Sequence, residues 1–134
     1  MNYITEAILV GVYEVILYLI FSMFIKNFVL LLLVIGFSKH FLGKLICIQT
    51  WYCNNGSACV KQLTKGKQYV ANSVHLLRSS GGDAIAHLIL GLLLRDFLSK
   101  EYLFFAIGVI LHISAENLGI HNQFCRENCE KTNS

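Results

Sequence analysis

The sequence predicts an all-α integral membrane protein with four transmembrane helices, built as two tandem hairpin repeats around a polar, cysteine-containing loop. Three observations carry that prediction. Phe28 to Cys53 lies over Lys100 to Cys125 without a gap at an offset of 72 residues, placing Gly36 on Gly108, His40 on His112, Ile48 on Ile120 and Cys53 on Cys125. Of the 134 residues, 55% are hydrophobic and 14% charged, which lies outside the range of ordinary soluble domains. The chain has no Pro, as suits helices that run unbroken.

The first repeat covers 1–53. Ala7 to Ile25 is apolar apart from Glu14 and Ser22, long enough at about 1.5 Å per residue to cross a hydrocarbon core of roughly 30 Å. It does not read as a signal peptide: no basic segment precedes it, no small-residue cleavage site follows, and a Glu sits inside it. A short turn near Lys26 leads into Phe28 to Ile48, so the two runs form an antiparallel hairpin. Lys39 and Lys44 are expected to extend their stems to the interface. Trp51 and Tyr52 mark an aromatic belt.

The segment 54–82 reads as a polar loop. Asn54-Asn55-Gly56-Ser57 is a turn, and Tyr69, Val70, Val74 and Leu77 recur at the spacing of a short amphipathic helix. Ser79-Ser80-Gly81-Gly82 then marks a boundary, with Asp83 as N-cap of the next helix. The second repeat covers 83–125. Ala84 to Leu94 is short for a span and gains length if Arg95 snorkels and Phe97 and Leu98 stay helical. Tyr102 to Leu118 follows after the Lys100-Glu101 turn, and 126–134 is a polar tail.

Two spans per repeat bring both copies into the membrane in the same orientation, related by a pseudo-twofold axis along the membrane normal. Both termini and the central loop then share one side. That side carries Lys44, Lys61, Lys65, Lys67, Arg78, Arg126 and Lys131, against Lys26, Arg95 and Lys100 on the other. The positive-inside bias makes it cytoplasmic. Cysteine usage pulls the other way, because Cys53, Cys59, Cys125 and Cys129 in polar segments suit an oxidising compartment. A net charge of +3, dispersed along the chain, gives no footprint for nucleic acid.

Gly36, His40, Gly43 and Cys47 fall on one helical stripe, and Gly108, His112, Ala115 and Gly119 reproduce it. Small residues on a stripe let backbones approach closely in lipid. The two stripes are therefore expected to face each other at the bundle centre, with His40 and His112 as buried polar links. Glu14, His87 and Glu116 are further polar groups at membrane depth, and Glu116 lies one turn from His112, within reach of a local bond. A rival reading makes these groups a metal site or a proton path, since imidazole and carboxylate suit both. No closely spaced His pair supports ligation, so no metal or cofactor is expected, and no catalytic motif marks an enzyme. The four exit cysteines allow three complete pairings. Disulfide stapling is preferred to a zinc or redox site or free thiols, while Cys47 reads as a small packing residue.

The second copy, Ile-Gly-Val-Ile-Leu-His-Ile-Ser-Ala-Glu-Asn-Leu-Gly-Ile-His-Asn-Gln-Phe-Cys, resembles short membrane proteins encoded by nucleocytoplasmic large DNA viruses of the mimivirus-like and phycodnavirus-like kind. Those look like hairpins with a Gly-x-x-x-His-x-x-x-Glu core and an aromatic-Cys ending. Gly108, His112, Glu116, Gly119, Asn122, Phe124 and Cys125 match that pattern, whereas the first copy departs at Lys44 and Thr50. The resemblance implies a structural component of a virion's internal membrane, or a membrane-anchored minor capsid protein linking membrane to shell. Its partners would be the lipid bilayer and other viral capsid or membrane proteins, with self-association left open. It also implies a virus-supplied cytosolic thiol oxidase, which would reconcile paired cysteines with a cytoplasmic side.

Overall fold

In the structure, a computed structural model that describes residues 2–132, the chain forms α1 (Tyr3–Phe21), α2 (Phe28–Leu45), α3 (Ile48–Asn55), α4 (Ser57–Gln62) and β1 (Tyr69–Ala71). It continues through α5 (Leu76–Leu94), α6 (Lys100–Asn117), α7 (Ile120–Asn128) and β2 (Cys129–Lys131). The last two residues of the sequence-predicted tail, like Met1, lie outside the described residues. Asn2 and Asn27 start the first hairpin in the same way: each side-chain oxygen accepts from a free first-turn amide, Thr5 N at 2.9 Å and Leu30 N at 3.0 Å, satisfying donors that a helix start leaves open.

The repeat is kept in three dimensions. α6 begins and ends 72 residues after α2, at 100 against 28 and at 117 against 45, and α7 begins 72 residues after α3, at 120 against 48. The elbows agree as well. Cys47 at φ 65° and Gly119 at φ 79° both turn the chain through the left-handed region, which admits Gly freely and strains a residue bearing a Cβ.

The two hairpins interlock. α1 packs chiefly on α6 and α2 on α5, so each long helix finds its main neighbour in the other repeat. Leu17, Leu31, Leu32, Ile35, Leu103, Phe104 and Ile107 form the buried core, with the Phe104 ring stacked 4.9 Å from Tyr18. Among the described residues two helices, α1 and α2, are long and apolar enough to cross a membrane, and a third path is α6 with α7, bent by 77°. Four were expected. α5 falls short because Arg78, Ser79, Ser80 and Asp83 in its first half dilute its apolar second half.

At the end where α1 starts and α2 finishes, the short elements make a cap. β1 pairs antiparallel with β2 in the register Tyr69 to Lys131, Val70 to Glu130 and Ala71 to Cys129. The other edge of β1 is met by side chains of α3. Asn54 accepts from Tyr69 N and donates to Tyr69 O, both at 2.9 Å, and Thr50 Oγ1 accepts from Ala71 N at 3.1 Å. A three-residue strand thus has both edges satisfied, as buried backbone requires.

Several local expectations are corrected. Residues 79–83 are not a linker with an N-cap at Asp83; they lie inside α5, which starts at Leu76. Ser80 is fully buried there, so tertiary packing overrides the low helix propensity of the Ser and Gly pairs. The amphipathic helix expected over Tyr69 to Leu77 is β1, a turn and the first two residues of α5. Phe97 and Leu98 are not helical, and α5 gains its length at the other end.

Candidate functional site

Two groups of polar side chains are built by the helix pairing. The first lies within the bundle. Glu14 sits eleven residues into α1, about 17 Å along the helix at 1.5 Å per residue, and is fully buried. His87 of α5 faces it, with Nε2 2.6 Å from Glu14 Oε1 and Nδ1 2.7 Å from the Asp83 carbonyl. Both contacts need a hydrogen, so the Glu14–His87 pair holds two protons and is neutral as a unit. Lys39 Nζ of α2 lies 3.4 Å from Glu14 Oε1 and 3.6 Å from Asp83 Oδ2. His40 Nε2 lies 3.0 Å from Asp83 Oδ2, and the Gln49 amide approaches His40 Nδ1 at 3.4 Å. The same Gln49 amide also donates to the His40 carbonyl at 3.3 Å. Lys39 thus stands between the carboxyl groups of Glu14 and Asp83, the kind of pairing under which buried ions are tolerable.

The glycines make these approaches close. A Cβ on Gly36 would fall 2.7 Å from Ala84 Cα, and one on Gly108 2.9 Å from Gly11 Cα. The two stripes do not face each other: Gly36 meets α5 and Gly108 meets α1, so His40 and His112 also serve different helix pairs. Gly43 and Gly119 are not packing glycines. A Cβ on Gly43 would find nothing nearer than 3.8 Å, and Gly119 is the elbow before α7, with open space around it. Ala115 is half-buried. Lys39 does not snorkel, since Glu14 and Asp83 hold it inward. Cys47 is exposed at the equivalent elbow rather than packed at membrane depth.

The second group joins the bundle to the cap. Glu6, one turn into α1 and buried, accepts from Ser57 N at the start of α4 and lies 3.1 Å from His112 Nε2. His112 therefore pairs with Glu6 and not with Glu116. Glu116 instead meets His121 Nδ1 at 2.9 Å, across the elbow between α6 and α7. The His112 and His121 rings lie 4.3 Å apart, tilted by 48°, and Tyr52 of α3 meets both edge-on at 6.3 and 5.5 Å. Burial pushes the Tyr52 hydroxyl above its ordinary range, with Glu6 and Glu116 adding to the effect. Burial pushes His121 down, against the opposing pull of Glu116. Among the described residues no three His, Cys, Asp or Glu converge as metal ligands.

The four exit cysteines are joined across the repeats: Cys53 to Cys129, and Cys59 to Cys125. Since Cys53 and Cys125 are repeat equivalents, each copy's first cysteine bonds the other copy's second. Cys53, Cys59 and Cys125 are buried with Ala58, Tyr69 and Ala71 in a small apolar core beneath Leu63 and Phe124. A cleft of about 200 Å³ opens on that core beside Cys53 and Cys59.

Glu6, Lys39 and Asp83 were not assigned these roles from the sequence. Glu6 lies just before the apolar run and Asp83 reads as a cap; only their tertiary partners reveal them. No family model, curated protein or solved structure matches the chain.

Proposed function

We propose that this chain is a structural membrane protein whose four long helices all cross the bilayer and whose cap locks the two hairpins together on one side. The observation that carries the reading is the crossed pair of disulfides, which ties the exit of each repeat to the other. Supporting it, α5 turns Ile85, Ile89, Leu92 and Leu93 outward, an apolar face suited to lipid, while its ionisable groups Asp83 and His87 point inward to Lys39 and Glu14. Arg78 and the polar first turns of α5 lie in the cap, above the apolar section. A bundle held this way presents a fixed platform of α3, α4, α7 and the two strands at the membrane surface.

On the strength of the resemblance carried by Gly108, His112, Glu116, Gly119 and Cys125, we assign that platform to the internal membrane of a large DNA virus, where it links membrane to shell. The cap then faces the cytoplasm and capsid, in line with the basic residues on that side. Quantitative proteomics of purified virions tests the assignment: the protein should be present at structural stoichiometry and withstand stripping of the outer shell. Recovery only from infected-cell membranes, with none in particles, contradicts it. Accessibility of Lys26 and Lys100 against Lys65 and Lys67 to an impermeant amine reagent tests the four-span topology, which requires labelling from opposite sides.

A further inference from the structure

The two disulfides of the cap touch. Cys59 Sγ and Cys129 Sγ belong to different bridges and lie 4.0 Å apart. The cleft beside them is lined by Cys53, Cys59, Leu63 and Tyr69, with exposed Lys65 and Lys67 at its edge. Lysines beside a disulfide draw in thiolates and stabilise them.

We propose that the cap is a thiol–disulfide exchange site for an anionic thiol, in which exchange passes from one bridge to the other through this sulfur contact. This goes beyond a structural role. The incoming thiolate attacks Cys53 Sγ; a bond to Cys53 forms, the Cys53–Cys129 bond breaks, and the electron pair leaves on Cys129 Sγ. That thiolate attacks Cys59 Sγ, 4.0 Å away. The Cys59–Cys129 bond forms, the Cys59–Cys125 bond breaks, and Cys125 leaves as a thiolate that takes a proton from water. One thiol enters and one is released, with two disulfide bonds before and after, so no oxidant is consumed. The geometry makes Cys125, on the opposite repeat from the point of attack, the outlet.

The test uses the full chain in detergent with the exposed Cys47 blocked beforehand. Reduced glutathione is applied in short pulses, exchange is stopped with acid, and N-ethylmaleimide is added during unfolding. Peptide mapping should find glutathione on Cys53, maleimide on Cys125 and a Cys59–Cys129 disulfide in the same molecules. Maleimide on Cys129 together with glutathione on Cys53 would show that exchange stops at the first bridge and overturns the transfer. Glutathione on another cysteine, or none taken up, overturns the site. In a second arm, Lys65→Glu with Lys67→Glu should slow glutathione about tenfold and leave cationic cysteamine unslowed; equal effects on both overturn the preference for an anion.

Discussion

Gly36→Ala should loosen the bundle even though alanine is the better helix former. The new Cβ would sit 2.7 Å from Ala84 Cα, 2.9 Å from the Asp83 carbonyl and 2.9 Å from His87 Cγ. Ordinary contact begins near 3.4 Å, so α2 and α5 must part by about 0.7 Å. None of the three neighbours is a free side-chain end: two are backbone, and the His87 ring is fixed between Asp83 and Glu14. Overpacking of this kind costs roughly 1–3 kcal/mol, against a propensity gain of about 1 kcal/mol, and parting the helices also stretches the contacts of Lys39 and His40 with Asp83. The expected net loss is about 1–2 kcal/mol. Gly82→Ala in α5 is the internal control, because nothing lies within 4 Å of its Cβ position; it should gain about 0.5–1 kcal/mol. Gly108→Ala, whose Cβ meets Glu14 Cγ at 2.7 Å, perturbs the same network and should combine non-additively with Gly36→Ala. Equilibrium unfolding in mixed detergent, followed by circular dichroism under non-reducing conditions, reads the parent, the three single variants and the double variant. If Gly36→Ala stabilises as much as Gly82→Ala does, the close packing of α2 on α5 is wrong.

Lys39→Met leaves Glu14 and Asp83 buried without their ammonium and should cost about 3 kcal/mol or more; adding Asp83→Asn should recover part of the loss in the same unfolding assay. Cys47→Gly should stabilise by about 0.5–1 kcal/mol, since Gly119 already occupies the equivalent left-handed elbow and a Cβ is strained there. The cap should weaken on acidification. His121 is held below its ordinary value of 6.5 by burial, so the fold favours the neutral ring; that stability is complete above the unfolded value and is lost as pH falls below it. Hydrogen exchange of α7 should accelerate from pH 7 to 5, and His121→Gln should flatten the change.

The architecture was legible wherever the sequence repeats itself. The offset that aligns Gly36 with Gly108 also aligns both ends of α2 and α6, because the same apolar run, elbow and aromatic-Cys exit specify the same local path. Which helices meet was not legible. Adjacent runs were expected to pair and the stripes to face each other, but α1 and α6 bring Gly11 against Gly108, a contact between positions almost a hundred residues apart with no local signature. Residues 79–83 misled for a related reason: their Ser and Gly pairs carry the local chemistry of a linker, and only the packing of Gly36 against Ala84 explains why they are helical. β1 is too short to show any period. The chemistry of Lys39 alone points to a residue that seeks water, while two carboxylates on other helices hold it inward. The cysteine pairing was one of three, and the cross-repeat solution depends on α3, α4 and α7 folding over one another.

The account rests on that pairing. Protein taken from its native membrane, digested with pepsin at low pH to suppress exchange and sequenced by electron-transfer fragmentation, should yield Cys53 linked to Cys129 and Cys59 linked to Cys125. Local bonds from Cys53 to Cys59 and from Cys125 to Cys129 would leave the two hairpins untied and would contradict it.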